Sequence, residues 1–253
     1  MSPFARTAIM AAKAAQAVIE KYYRGAFEVK FKDDQSPVTI ADIEAEQIIK
    51  GLITEAFPEH GFYGEETGRL RPDAEYVWLI DPIDGTKSFV RGYPFFSTQI
   101  ALMQGERLVL GVSSAPIMGE LAYAERGAGA FLNDRPVGVS DVASLEQATL
   151  SFGNIKTLAA GTHWPRLAEL IQRVNRTRGY GDFLHYHMLA AGQLDAVVES
   201  DVNILDIAAL SVIVEEAGGR FTDIAGKPPG LATRTVLAAS TPALHEQVRL
   251  MLG

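Results

Sequence analysis

Two carboxylates three positions apart close the run Trp78-Leu79-Ile80-Asp81-Pro82-Ile83-Asp84-Gly85-Thr86. An apolar segment that ends in Asp-x-x-Asp before a Gly-Thr step delivers its acids to a turn. There they can hold a hard cation beside a phosphate. Oxygen donors suit Mg²⁺, which is usually held by a few carboxylates together with substrate phosphate oxygens. Unpaired N–H groups at a helix start supply an anion site. Pro82 has no N–H, which predicts that strand pairing ends just after Asp81 and leaves the Ile83 carbonyl available as a neutral ligand. Gly85 lets a ligand approach the backbone closely. Metal-dependent phosphate chemistry is the functional reading of this run, and a surface Asp-Gly turn is the competing one.

Other acids could complete such a site, although each also has an ordinary structural explanation. Glu65-Glu66 lies between Gly64 and Gly68, where one acid could reach inward while the other supports it, or both could simply face water. Asp206 stands directly before Ile207-Ala208-Ala209-Leu210 and is expected to be a helix N-cap, which can still extend an oxygen to a metal. Asp42 falls near a helix start, where the dipole favours an acid. The five histidines form no metal signature. His185 and His187 fall in an apparent helix, where positions two apart face different sides. These two and His60, His163 and His245 read as structural or surface residues, with His185 a candidate for the rim of a substrate site. No Gly-rich nucleotide loop, dinucleotide fingerprint or Gly-x-Ser-x-Gly elbow is present.

The elements that must position these residues are readable from periodicity. Pro3 to Tyr23 repeats its apolar residues near 3.6 and predicts a helix. Phe27 to Phe31 alternates as a strand, Ser36-Pro37 is a break, and Thr39 to Ala56 predicts a second helix. Its expected apolar face is Ile43, Ile48, Ile49, Leu52 and Ile53, with Pro58 beyond its stop. Tyr76–Ile80, Phe96–Met103, Leu108–Ala115 and Glu120–Glu125 read as strands broken by Gly-containing turns. After about Ser140 strands and helices alternate. Thr149–Phe152, Arg176–Gly181, Ala196–Glu199 and Val236–Ala239 are strand-like, and Trp164–Val174, Leu184–Ala191, Ile207–Ala217 and Pro242–Leu252 are helical. An α+β half over 1–140 followed by an α/β half over 141–253 is the expected organisation.

Bulk properties narrow the function classes. The formal charge of -8 over 253 residues argues against a nucleic-acid backbone as partner, which needs a basic face. The absence of cysteine removes disulfides and thiolate metal sites and is compatible with the cytoplasm. The N-terminal helix carries Arg6 and Lys13 inside its apolar stretch and does not read as a signal peptide. No run approaches the roughly 18 apolar residues of a membrane span.

Taken in order, Val38-Thr39-Ile40-Ala41-Asp42, Gly64-Glu65-Glu66, the Trp78–Thr86 run, and Asp206 leading into Glu215-Glu216-Ala217-Gly218-Gly219 resemble the inositol monophosphatase family over nearly the whole chain. Within it, Thr86-Lys87-Ser88-Phe89, Gly92-Tyr93-Pro94, Tyr180-Gly181-Asp182 and Ala196-Val197-Val198-Glu199 look most like bacterial histidinol-phosphate phosphatases. Leu205 departs from the Trp that inositol-specific members usually carry before the last metal Asp. The resemblance implies a layered αβαβα sandwich, a homodimer, two or three Mg²⁺ ions and lithium sensitivity. It places Glu65, Asp81 and the Ile83 carbonyl on one ion and Asp81, Asp84 and Asp206 on another, with Glu65 shared by a weaker third. It gives Gly85 and Thr86 N–H groups to the phosphate, and a proton relay through Asp42 and the Thr86 hydroxyl to the attacking water.

Asp182 and Glu199 lie outside that cluster and are the candidates for reading the alcohol half of the ester. Two carboxylates suit an ammonium or imidazolium better than a neutral ring. The expected activity is Mg²⁺-dependent hydrolysis of histidinol phosphate, as in histidine biosynthesis. Alternatives are an inositol-1-monophosphatase or a broad sugar or nucleotide phosphatase and, from another class, a regulatory binding protein on the same fold. Close acids repel one another without metal, so raised pKa values and weak activity at low pH are expected.

Overall fold

The computed structural model describes residues 1–25, 29–31 and 37–253. In chain order its elements are α1 (Pro3–Tyr23), β1 (Val29–Phe31), β2 (Pro37–Thr39), α2 (Ile40–Ala56), β3 (Gly61–Gly64), β4 (Gly68–Leu70), β5 (Tyr76–Asp84) and α3 (Thr86–Val90). There follow β6 (Ser97–Gln104), β7 (Arg107–Ala115), β8 (Glu120–Glu125), β9 (Ala130–Leu132), β10 (Arg135–Val137), β11 (Thr149–Gly153), α4 (Ile155–Ala160) and α5 (Trp164–Arg173). The chain closes with β12 (Arg176–Arg178), α6 (Asp182–Ala190), β13 (Ala196–Ser200), α7 (Ile204–Glu216), β14 (Arg220–Thr222), β15 (Thr235–Ala239) and α8 (Pro242–Leu252). The expected strand start at Phe27 and the break at Ser36 lie outside the described residues. Pro37 opens β2, which pairs antiparallel with β1.

Five layers result, an αβαβα sandwich. An eight-stranded sheet in the order β10-β9-β8-β7-β6-β5-β3-β4 takes its strands from the first half of the chain, and a five-stranded sheet, β12-β11-β13-β15-β14, from the second. α1 and α2 cover the outer face of the first sheet, where Ala5, Ala8, Ala11, Ala12 and Ala15 are buried against it. α6 and α7 lie between the sheets and share one apolar cluster with both. The face of the second sheet turned away from them packs on α5 and α8.

Local chemistry explains the boundaries. Ser2 caps α1 by accepting the Ala5 N–H at 3.1 Å, with Pro3 at the first helical position. α2 is turned differently from the expectation. Ile43 is exposed, and the buried face is Ala41, Asp42, Ala45, Glu46, Ile49 and Ile53. Two acids therefore point inward, and their hydrogen-bond partners replace the apolar packing that a plain amphipathic helix would make. α7 is apolar on every side, as a helix buried between two sheets must be.

α6 shows how a middle layer is anchored. His185 and His187, two apart, face opposite sheets. His185 meets Ser151 of β11 and Glu199 of β13, whereas His187 meets Ser113 of β7 and Glu120 of β8 at 2.9 and 2.8 Å. The Ser113–His187–Glu120 line has the residue types of a hydrolytic triad, but Ser113 is fully buried. It braces α6 to the first sheet and offers no accessible nucleophile.

Candidate active site

β5 and β3 run parallel with Gly64 opposite Ile80, so Glu65, just past the end of β3, and Asp81, the next residue of β5, become neighbours. The Glu65 N–H donates to the Ile80 carbonyl at 3.1 Å, and the Glu65 carboxyl hydrogen-bonds that of Asp81. Pro82 does not end β5. Pairing with β6 is interrupted by a register irregularity after Asp81 and resumes with Asp84 opposite Ser97. The missing N–H is thus accommodated as a bulge. Inside it the Ile83 N–H donates to Asp81 Oδ1 at 3.0 Å, the Thr98 hydroxyl donates to the Pro82 carbonyl at 2.8 Å, and Asp84 emerges beside Asp81.

Asp206 arrives from the other side, in the first turn of α7. It is not the N-cap. Asn203 is, accepting the Leu205 N–H at 2.7 Å, while Asp206 is the third helical residue and takes the Asn203 N–H at 2.8 Å and its amide at 2.6 Å. This capping box pins the acid more firmly than an N-cap position would. One oxygen from each of Asp81, Asp84 and Asp206 lies within 4.8 Å of the others. An all-carboxylate donor set fits a hard cation such as Mg²⁺ and gives nothing to a soft one.

The electrostatics agree with that fit. Burial, then repulsion from Glu65, Asp84 and Asp206, lifts the Asp81 carboxyl well above the usual carboxylate range. Burial and the charges of Asp206, Asp182 and Glu199 do the same to Asp84. Asp206 is pushed up to about 7 by burial, against the Asn203 hydrogen bonds that hold it down. Acids so placed strain toward protonation, and a bound cation reverses the balance.

Asp42 is the third residue of α2 in a capping box with Thr39, accepting its N–H at 2.8 Å and its hydroxyl at 2.6 Å. Burial raises its pKa against those bonds. The Thr86 hydroxyl faces two acceptors, the Ile83 carbonyl at 3.0 Å and Asp42 Oδ1 at 3.4 Å. Gly85 precedes α3 with a φ of 89°, a conformation natural to glycine. Asp182 and Glu199 line the same cleft as Asp84 and Asp206, a hollow of about 40 Å³ whose walls also include Tyr186, Asn154 and the apolar Val202, Ile207 and Leu210. Asp182 is raised to about 6 by burial and then by Glu199, partly offset by His185 and Lys87. His185 is not at the rim but buried behind Glu199.

Two contributors escaped the sequence reading. Glu46, one helical turn after Asp42, is buried and accepts the Glu66 N–H at 2.8 Å, the Thr67 N–H at 3.0 Å and the Thr67 hydroxyl, so it holds the turn that carries Glu65. Asn203 holds Asp206. For Asn203 the available signal was its Asn-x-x-Asp spacing before an apolar run.

The profile of the inositol monophosphatase family matches residues 1–250. A histidinol-phosphatase from Streptomyces coelicolor is 35% identical over 249 residues, covering 95% of this chain and 92% of that protein. An inositol-1-monophosphatase from Caulobacter vibrioides is 36% identical over 218 residues, covering 83% and 85%. The crystal structure of the extragenic suppressor protein SuhB from Bartonella henselae superposes with a TM-score of 0.91 at 32% identity, covering 99% of this chain and 98% of that one.

Proposed function

Since this chain belongs to the inositol monophosphatase family, we propose that its substrate is histidinol phosphate and its metal Mg²⁺. The coarser activity follows from membership: it is a metal-dependent phosphomonoesterase acting on a small phosphorylated molecule. The finer assignment is carried by one observation, the presence of Asp182 and Glu199 in the cleft of Asp84 and Asp206. An ester whose phosphate sits at the metal acids turns its alcohol half toward two further carboxylates, which favour an ammonium or imidazolium over a neutral polyol.

In this reading Glu65, Asp81, Asp84, Asp206 and the Ile83 carbonyl hold the ions. Bound there, Mg²⁺ supplies neutralisation of the phosphate charge and a water of lowered pKa. Gly85 and Thr86 N–H groups orient the phosphate. Thr86 Oγ1 gives its hydrogen to Asp42 Oδ1 and takes one from the attacking water, and the raised pKa of Asp42 suits it to keep that proton. The division near residue 140 is then a division of labour. The first half brings Asp42, Glu65, Asp81, Ile83, Asp84 and Thr86, and the second brings Asp182, Glu199 and Asp206. A homodimer, lithium sensitivity and a cytoplasmic location belong to the same proposal; no helix among the described residues is long and apolar enough to cross a membrane.

Purified protein in saturating Mg²⁺ is to be assayed on histidinol phosphate, inositol 1-phosphate and adenosine 3′,5′-bisphosphate. A kcat/KM for histidinol phosphate about 10- to 100-fold above the others is expected, the worth of a charge-assisted hydrogen bond. A preference for either competitor rejects the assignment. The inositol reading keeps its own support in the Caulobacter vibrioides relative and in the ability of carboxylates to accept hydroxyl hydrogens.

A further inference from the structure

We propose that Tyr186 and His185 are positioning residues for substrate recognition. They fix the Glu199 carboxylate and, through Ser151, the backbone leading to Asp182. The two acids then meet the alcohol half of the ester in one arrangement. This rests on the reading above that the cleft receives that half of the substrate.

Glu199 lies on β13 and is only 4% exposed. Its Oε2 accepts the Tyr186 hydroxyl at 2.6 Å and His185 Nε2 at 3.1 Å. Its Oε1 fills the space that Gly153, opposite it on β11, leaves open: a Cβ there would stand 1.9 Å from that oxygen. Any side chain at 153 therefore displaces the carboxylate. Both donors are buried on α6, so turning Glu199 away would strand two polar groups without water.

Against a carboxylate oxygen, His185 Nε2 is the donor. Ser151 Oγ lies 3.3 Å from Nδ1 and itself accepts the Tyr180 N–H at 3.2 Å. A line of polar contacts runs from the Tyr180 backbone through Ser151 and His185 to Glu199. Two residues beyond Tyr180, Asp182 opens α6 with a φ of 47°. Aspartate adopts this left-handed conformation more readily than most non-glycine residues. One line thus ties an oxygen of Glu199 to the backbone two residues before Asp182. Recognition by few contacts gains from such pre-organisation.

The test is a double-mutant cycle of Tyr186→Phe and Glu199→Gln, read on the wild type's preferred ester in saturating Mg²⁺. Tyr186→Phe should raise KM about 10-fold with kcat within about twofold, and should add less than about twofold once Glu199 is Gln. Equal KM factors in both backgrounds, a fall in kcat alone, or an unchanged KM in either single variant would each overturn the proposal. Should Tyr186→Phe not fold, His185→Gln takes its place in the same cycle. A wild type that prefers inositol 1-phosphate rejects the histidinol assignment, while the cycle still decides the positioning role.

Discussion

The cleft contains two sets of acids that the fold treats in opposite ways. Asp81, Asp84 and Asp206 are crowded together, and burial and mutual repulsion raise them toward protonation. Glu199 sits a short way off with a tyrosine and a histidine bonded to one oxygen and a glycine making room for the other. In the proposed reading the first set is completed by a cation, whereas Glu199 is met by donors the chain provides. Like residue types at one site can therefore serve different ends, and the donors around each acid separate the roles better than the acids themselves do.

The largest expected contrast is in turnover. Asp84→Asn should lower kcat by at least about 10²-fold, because it removes an acid from the proposed ion site and with it transition-state charge stabilisation. Glu199→Gln should act mainly on KM. Comparable kcat losses in both would erase the distinction. A smaller effect is expected one layer out, at Glu46. Glu46→Gln turns an amide donor toward the N–H groups of Glu66 or Thr67 and should raise the Mg²⁺ concentration for half-maximal activity about tenfold. An unchanged Mg²⁺ requirement would free the Glu65 turn from Glu46.

The smallest effect is a drift of stability with pH. Asp182 and Asp206, raised to about 6 and about 7, contribute stability that is present below their unfolded pKa and lost as pH rises through those values. His245, pushed down to about 4 by burial, works the other way, losing stability as pH falls below its ordinary value. It contributes equally with and without metal, so it cancels in a difference. The rise in melting temperature on adding Mg²⁺ should therefore be larger at pH 8 than at pH 5. A rise that does not depend on pH would detach Asp206 from the metal.

Much of the architecture was legible because its signals are local. α1 and α8 begin where Ser2-Pro3 and Thr241-Pro242 place a cap and a first-turn proline. The missed details have a common origin. α7 begins at Ile204 and not at Ile207, since the Asn203–Asp206 capping box, and not the apolar run, sets its start. Ile43 is exposed and Glu46 buried, the reverse of what hydrophobicity alone suggests, because hydrogen bonds to distant backbone decide that face of α2. The Glu199 supports lie on α6 and β11, more than ten residues away in sequence, and no spacing rule connects them.

Titration calorimetry with Mg²⁺ on the wild type, Asp84→Asn and Glu199→Gln separates the two acid sets at once. The wild type and Glu199→Gln should bind Mg²⁺ with similar affinity, and Asp84→Asn should bind at least about tenfold more weakly. Wild-type affinity in Asp84→Asn, or an equal loss in Glu199→Gln, would contradict the division of the cleft into acids that hold a cation and acids that read the substrate.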